Sequence, residues 1–98
     1  MNYKVIIADD NPLICKSLKE TIDWKQYGCQ PVGTAENGTQ ALRLVYQTNP
    51  DILVTDIKMP ETDGLELVEK VKKEFPDMEI IMITGYQEFE YAKRAIGL

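Results

Sequence analysis

There is no histidine anywhere in the chain, and only two cysteines, Cys15 and Cys29, whose spacing matches no metal-ligand pattern. A zinc centre is thereby excluded. Two buried, reduced thiols are the default for these cysteines, and the sequence leaves open a disulfide between them. Long apolar runs are missing too. No stretch approaches the length that spans a bilayer, and the opening Met1-Asn-Tyr-Lys-Val-Ile-Ile-Ala8 has too short an apolar core for a signal peptide. Both absences point to the cytoplasm and away from a membrane. A basic excess is also lacking: 11 Lys and Arg face 16 Asp and Glu, for a net charge of −5. Such a balance argues against non-specific binding to nucleic acid or to an anionic membrane. Internal repeats, low-complexity segments and interior linkers are absent. The 98 residues therefore read as one small domain, residues 1–98, of ordinary globular composition (44% apolar, 28% charged).

What is present is organised around Asp51-Ile-Leu-Val-Thr-Asp-Ile-Lys-Met-Pro-Glu-Thr-Asp-Gly64. Ile52, Leu53 and Val54 form a short apolar run that reads as a strand buried on both faces. It ends in Asp56, Met59-Pro60 breaks the direction, and Asp63-Gly64 turns the chain into a helical pattern. A carboxylate at the C-terminal end of such a strand lies where open α/β sheets bind ligands. The bland alternative is an acid that only caps a turn. Asp9-Asp10, ending the first apolar run in the same way, weighs against it.

Taken in order, Lys4 to Asp9 reads as a strand, and Asn11-Pro12 supplies an N-cap and a first-turn proline. Ile14, Leu18 and Ile22 recur every fourth residue as the apolar stripe of a first helix, closed by Asp23 to Gly28. Trp24 and Tyr27 read as packing residues. Gln30 to Ala35 is a weaker strand, and Pro31 predicts an edge position for it. A second helix carries Ala41, Leu42 and Val45, and Asn49-Pro50 stops it. After Gly64, a third helix carries Leu65, Val68, Val71 or Lys72, and Phe75. Its Glu66–Lys70 and Glu69–Lys73 pairs read as a solvated face. Glu79 to Thr84 is a fourth strand, and Phe89, Ala92 and Ile96 mark a fourth helix. The order βαβαβαβα predicts an α/β fold, a doubly wound parallel sheet with helices on both faces.

Parallel strands deliver their C-terminal ends to one edge. Here those ends carry Asp9 and Asp10, then Asp56, then Thr84. Carboxylates gathered there repel one another and raise at least one pKa. A hard divalent cation such as Mg²⁺ relieves that, given all-oxygen ligands. Carboxylates, Mg²⁺ and a hydroxyl suit phosphoryl transfer, with Asp56 as nucleophile and Thr84 bonding a phosphoryl oxygen.

Asp9-Asp10, Asp56 within Asp-Ile-Lys-Met-Pro-Glu-Thr-Asp-Gly, and Thr84-Gly85 resemble the receiver domain of bacterial two-component response regulators, through essentially the whole chain. The resemblance implies a flavodoxin-like receiver fold. It implies that Asp56 accepts a phosphoryl group from a sensor histidine kinase. Asp10, Asp56 and the Lys58 carbonyl would ligate Mg²⁺, Asp9 would assist through water, and Thr84 would act as the switch. Lys58 and Tyr86 occupy positions that tune phosphoryl lifetime in the family, with plain surface exposure as the alternative. A domain of this kind is a phosphoacceptor rather than a turnover enzyme. The stretch Thr84 to Ile96, with Ile22-Asp-Trp24, is similar to receivers that precede AraC-type DNA-binding domains. DNA would be reached only through such an output domain, since this chain has no basic recognition helix.

The family's fifth strand, with its lysine and switch aromatic, and its fifth helix are lacking from these 98 residues; Lys93 is no obvious substitute. The expectation for residues 1–98 alone is therefore low stability, or self-association through an exposed strand-four edge. Mg²⁺ binding should persist while phosphorylation is slow. A haloacid-dehalogenase-type phosphatase would need an acid where Lys58 stands. A flavodoxin-like nucleotide or flavin binder would need a Gly-rich loop where Asp9-Asp-Asn-Pro12 stands. A receiver-like interaction module that is not phosphorylated is the rival that survives.

Overall fold

A computed structural model describes residues 2–57, 59 and 64–83. The fourth helix with its Lys93, and the sites expected at Lys58, Thr84 and Tyr86, lie outside the described residues. Four strands, β1 (Tyr3–Ala8), β2 (Cys29–Ala35), β3 (Ile52–Asp56) and β4 (Glu79–Ile83), form one sheet in the order β2-β1-β3-β4. Every pairing is parallel. Helices α1 (Pro12–Thr21), α2 (Gly38–Thr48) and α3 (Gly64–Glu74) connect them.

The central strands alternate with period two, and each phase meets a different layer. Ile6, Ala8 and Leu53 join Ala41 and Val45 of α2 and Leu67 and Val71 of α3 in one core. Val5, Ile7 and Val54 face the other way, onto Cys15, Leu18 and Trp24. Burial on both faces explains why β1 and β3 read as unbroken apolar runs.

The proline in β2 sits where it costs least. The strand is at the sheet edge, and its register slips after Val5↔Pro31, with Ile6 next paired to Gly33. The caps also follow the sequence. Asn11 accepts from the Leu13 N–H at 2.9 Å ahead of Pro12, and Asn37 accepts from the Gln40 N–H at 2.8 Å. Gln40 reaches back in turn to the Glu36 N–H at 3.0 Å.

Leu18 and Val71 of the expected stripes do face the core, but two helices are turned in part from the expected phase. On α1 the buried residue is Cys15, while Ile14 is 40% exposed. A small side chain is what fits there, because the Cys15 thiol donates to the Asp9 carbonyl at 3.4 Å. On α3 the fully buried positions are Leu67 and Val71, with Leu65, Val68 and Phe75 only half-buried. The segment after α1 is a separate 3₁₀ turn, Trp24–Tyr27, closed by Gly28 at φ 69°. Trp24 is more than packing, since its indole N–H donates to the Leu18 carbonyl at 3.1 Å.

The two thiols do not pair. Both are free, and Cys15 lies by the Ala35 carbonyl (3.7 Å) at the far end of β2 from Cys29. Six residues of strand separate those ends by about 20 Å, against the roughly 7 Å a disulfide tolerates between Cα atoms.

Candidate functional site

The three acids that the sequence singles out arrive at one place. Asp9 follows β1 directly, and its N–H donates to the Ala35 carbonyl at 2.9 Å, carrying the ladder one residue past the strand. Asp10 comes next, and Asp56 is the last residue of β3. Because Ala8 pairs with Thr55 in parallel register, the residues that follow each stand side by side at the same sheet edge. Carboxylate oxygens of Asp9, Asp10 and Asp56 all lie within 4.8 Å of one another.

Their surroundings differ. Asp9 is buried, Asp56 half-buried and Asp10 exposed. Asp9 accepts the Asn11 N–H at 2.9 Å, and Asp56 accepts the Ile57 N–H at 2.7 Å. Burial is the main force pushing the Asp9 carboxyl above its ordinary value, and the charges of Asp56 and Asp10 push the same way. The Asn11 N–H opposes them. Burial first, and then the Asp9 charge, raise the neighbouring Cys15 thiol too. It stays a neutral S–H donor beneath the site.

Such a donor set fits a hard divalent cation. Every ligating atom is oxygen, three formal charges converge, and no nitrogen or sulfur ligand belongs to the cluster. Among the described residues no buried side-chain polar atom lacks a partner. Like-charge crowding, rather than an unmet hydrogen bond, is what a cation would relieve.

Sequence reasoning missed three neighbours. The Thr55 hydroxyl donates to the Asp56 carbonyl at 2.9 Å. The Gly64 N–H donates to the Ile57 carbonyl, tying the start of α3 to the end of β3. Asn11, read only as a helix cap, also orients Asp9 through its backbone. The Asp-x-Asn spacing could have signalled that last role, since Asx side chains bond the backbone two residues on.

The response regulator receiver domain model matches residues 5–98. The chain belongs to that family. Among solved structures it is similar to the REC domain of AraT, a response regulator from Geobacillus stearothermophilus. The TM-score is 0.92 at 41% identity, over 99% of this chain and 75% of that one. A two component transcriptional regulator AraC from Clostridium phytofermentans ISDg superposes with a TM-score of 0.88 at 34% identity, over 95% of this chain and 72% of that one. Among curated proteins, the uncharacterized transcriptional regulatory protein YesN of Bacillus subtilis (strain 168) is 40% identical over 94 residues, which is 96% of this chain and 26% of YesN. The transcriptional regulatory protein HptR of Staphylococcus aureus (strain N315) is 36% identical over 94 residues, covering 96% of this chain and 36% of HptR. The receiver chain thus spans roughly a quarter to a third of the curated relatives it matches. No helix among its described residues is long and apolar enough to cross a membrane.

Proposed function

We propose that this receiver domain is a phosphorylatable switch, in which Asp56 takes a phosphoryl group from the phosphohistidine of a sensor histidine kinase. The convergence of Asp9, Asp10 and Asp56 within 4.8 Å at the C-terminal sheet edge carries the reading. Asp56 is the nucleophile because it is half-buried: reachable, yet held at the end of a central strand. Its carboxylate oxygen attacks phosphorus, the P–N bond breaks, and the imidazole departs, leaving an acyl phosphate.

Asp10 and Asp56, with the Lys58 carbonyl, would hold Mg²⁺, and Asp9 would act through water. When bound, the ion neutralises charge on the carboxylates and the transferring group. Thr84 would bond a phosphoryl oxygen, and Lys58 and Tyr86 would tune its lifetime. The relatives' names as transcriptional regulators support a DNA-binding output domain, of AraC type, outside these residues, and a cytoplasmic setting. The domain is a phosphoacceptor, not a turnover enzyme.

Acetyl phosphate with Mg²⁺ tests this in the full-length protein. Mass spectrometry should place the adduct on Asp56 and lose it on chelation; an adduct elsewhere, or none, refutes the assignment.

The sheet edge favours a second reading for residues 1–98, an interaction module. Among the described residues β4 pairs with β3 alone and exposes Ile81 (52%) and Ile83 (36%). An open apolar edge is a template for another strand. Self-association through it should show in sedimentation, and a monomer with a sharp cooperative melt would contradict it.

A further inference from the structure

We infer that Gly64 is a positioning residue for the phosphoacceptor, the spacer that fixes where the Asp56 peptide lies. The inference rests on the function proposed above. A Cβ at Gly64 would stand 2.1 Å from the Asp56 carbonyl oxygen, 2.7 Å from the Ile57 Cα and 2.9 Å from the Ile57 oxygen. All three are backbone atoms and cannot rotate aside. Gly33 differs: a Cβ there would meet Leu44 and Ile6 methyl groups at 3.2 and 3.4 Å, which a rotamer change can move.

Which side yields is decided by anchoring. α3 is held by Leu67 and Val71, both fully buried. In the sheet ladder β3 is paired on both sides only as far as Thr55, opposite Ala8; Asp56 pairs across to β4, opposite Ile83. The Ile57 side chain is fully buried as well, which leaves the Asp56–Ile57 peptide plane, beyond the two-sided ladder, as the part that can tilt. To restore ordinary contact with an added methyl, that peptide must retreat by more than about 1 Å. A displacement of about that size is enough to disable a reacting geometry. It would also strain the Thr55 hydroxyl's hold on the same carbonyl and open the three-carboxylate cluster.

The test compares Gly64→Ala with Val71→Ala, which loosens the same helix away from the acids, in the full-length protein. Without metal, Gly64→Ala should move the backbone resonances of Asp56 and Ile57. It should also weaken Mg²⁺ binding by about 10- to 100-fold, the range seen when a ligand's support is removed, and slow acetyl phosphate labelling. Val71→Ala should lower the melting temperature yet keep Mg²⁺ affinity within about twofold. Folded Gly64→Ala with unshifted Asp56 and Ile57, or with unchanged Mg²⁺ affinity, overturns the inference. So does an equal loss of affinity in Val71→Ala. If Gly64→Ala is unfolded in buffer, the measurements move to trimethylamine N-oxide, which favours the compact state. Failure to fold even there means that the clash spreads through α3, and it overturns the assignment too. If the wild type binds no Mg²⁺ while Gly64→Ala still shifts those resonances, the metal reading falls and the positioning role stands.

Discussion

β3 is bracketed by two aspartates that lead opposite lives. Asp51, just before the strand, is absorbed into the scaffold. Its carboxylate accepts the Lys4 N–H at 2.8 Å, its own N–H donates to the Lys4 carbonyl at 2.9 Å, and its carbonyl accepts the Glu79 N–H at 3.0 Å. One residue thus ties the starts of three strands. Nearby, the Lys4 ammonium caps the end of α2 on the Thr48 carbonyl. Asp56, at the other end, meets two further acids. The contrast follows from strand polarity. Parallel strands present N–H donors at their starts and carbonyls at their ends, so a carboxylate is satisfied at one edge and crowded at the other. Stability is built at the first edge, and the proposed chemistry belongs to the second.

Exchanging the roles gives the largest effect. Asp56→Asn should abolish phosphorylation, because the amide is nearly isosteric but a poor nucleophile, and leave the melting temperature unchanged or higher. Asp51→Asn should keep phosphorylation. Labelling by acetyl phosphate that survives in the first variant or vanishes in the second would erase the distinction. Next is Mg²⁺ itself. At a hundredfold excess over its Kd, the ion should stabilise the fold by about 2.7 kcal/mol. Asp10→Asn should reduce that increment by removing a ligand charge, and Asp51→Ala should not touch it. Superimposable melts with millimolar Mg²⁺ and with chelator would refute the acidic-pocket account. Asp51→Ala should itself cost about 1–2 kcal/mol, read by denaturant unfolding, since it frees the Lys4 N–H.

The smallest effect is a pH dependence. The Asp9 carboxyl is raised from 3.8 in the folded state, so the folded chain holds this proton more tightly than the unfolded one. The resulting stabilisation is complete below 3.8 and is lost as pH rises through the raised value. Protons and Mg²⁺ compete for the same charges. The Mg²⁺ increment in melting temperature should therefore shrink as pH falls from neutrality into the upper carboxylate range. An increment that stays constant across that window would show that Asp9 is not part of the cation site.

The chain's broad layout was legible because local and global signals agreed. Apolar runs ending in Asp9 and Asp56, Asn11-Pro12 as a helix start, and Pro31 as the mark of an edge all hold. The convergence of the acids could be read from topology alone, since parallel strands leave no other place for them. Helix phase was not legible. A ten-residue helix offers few apolar positions, and the choice between the Ile14 and Cys15 faces on α1 depended on the Asp9 and Ala35 carbonyls beneath it. On α3, Leu67 won because that face points to Leu53 and Ile6 rather than along the helix's richest stripe. Nor did the sequence say why residue 64 is glycine beyond its turn; the close approach to the Asp56 carbonyl is a three-dimensional fact.

The separation of the two thiols turns the protein into its own chemical clock. Cys15 lies under the Asp9 carbonyl and Cys29 by the Tyr27 carbonyl at the other end of β2. Both are buried, so an alkylating reagent reaches each only when its surroundings open. The two labelling rates therefore time two separate opening motions in one molecule. A cation held by the acids should slow the Cys15 clock more than the Cys29 clock, reporting site occupancy without any engineered probe.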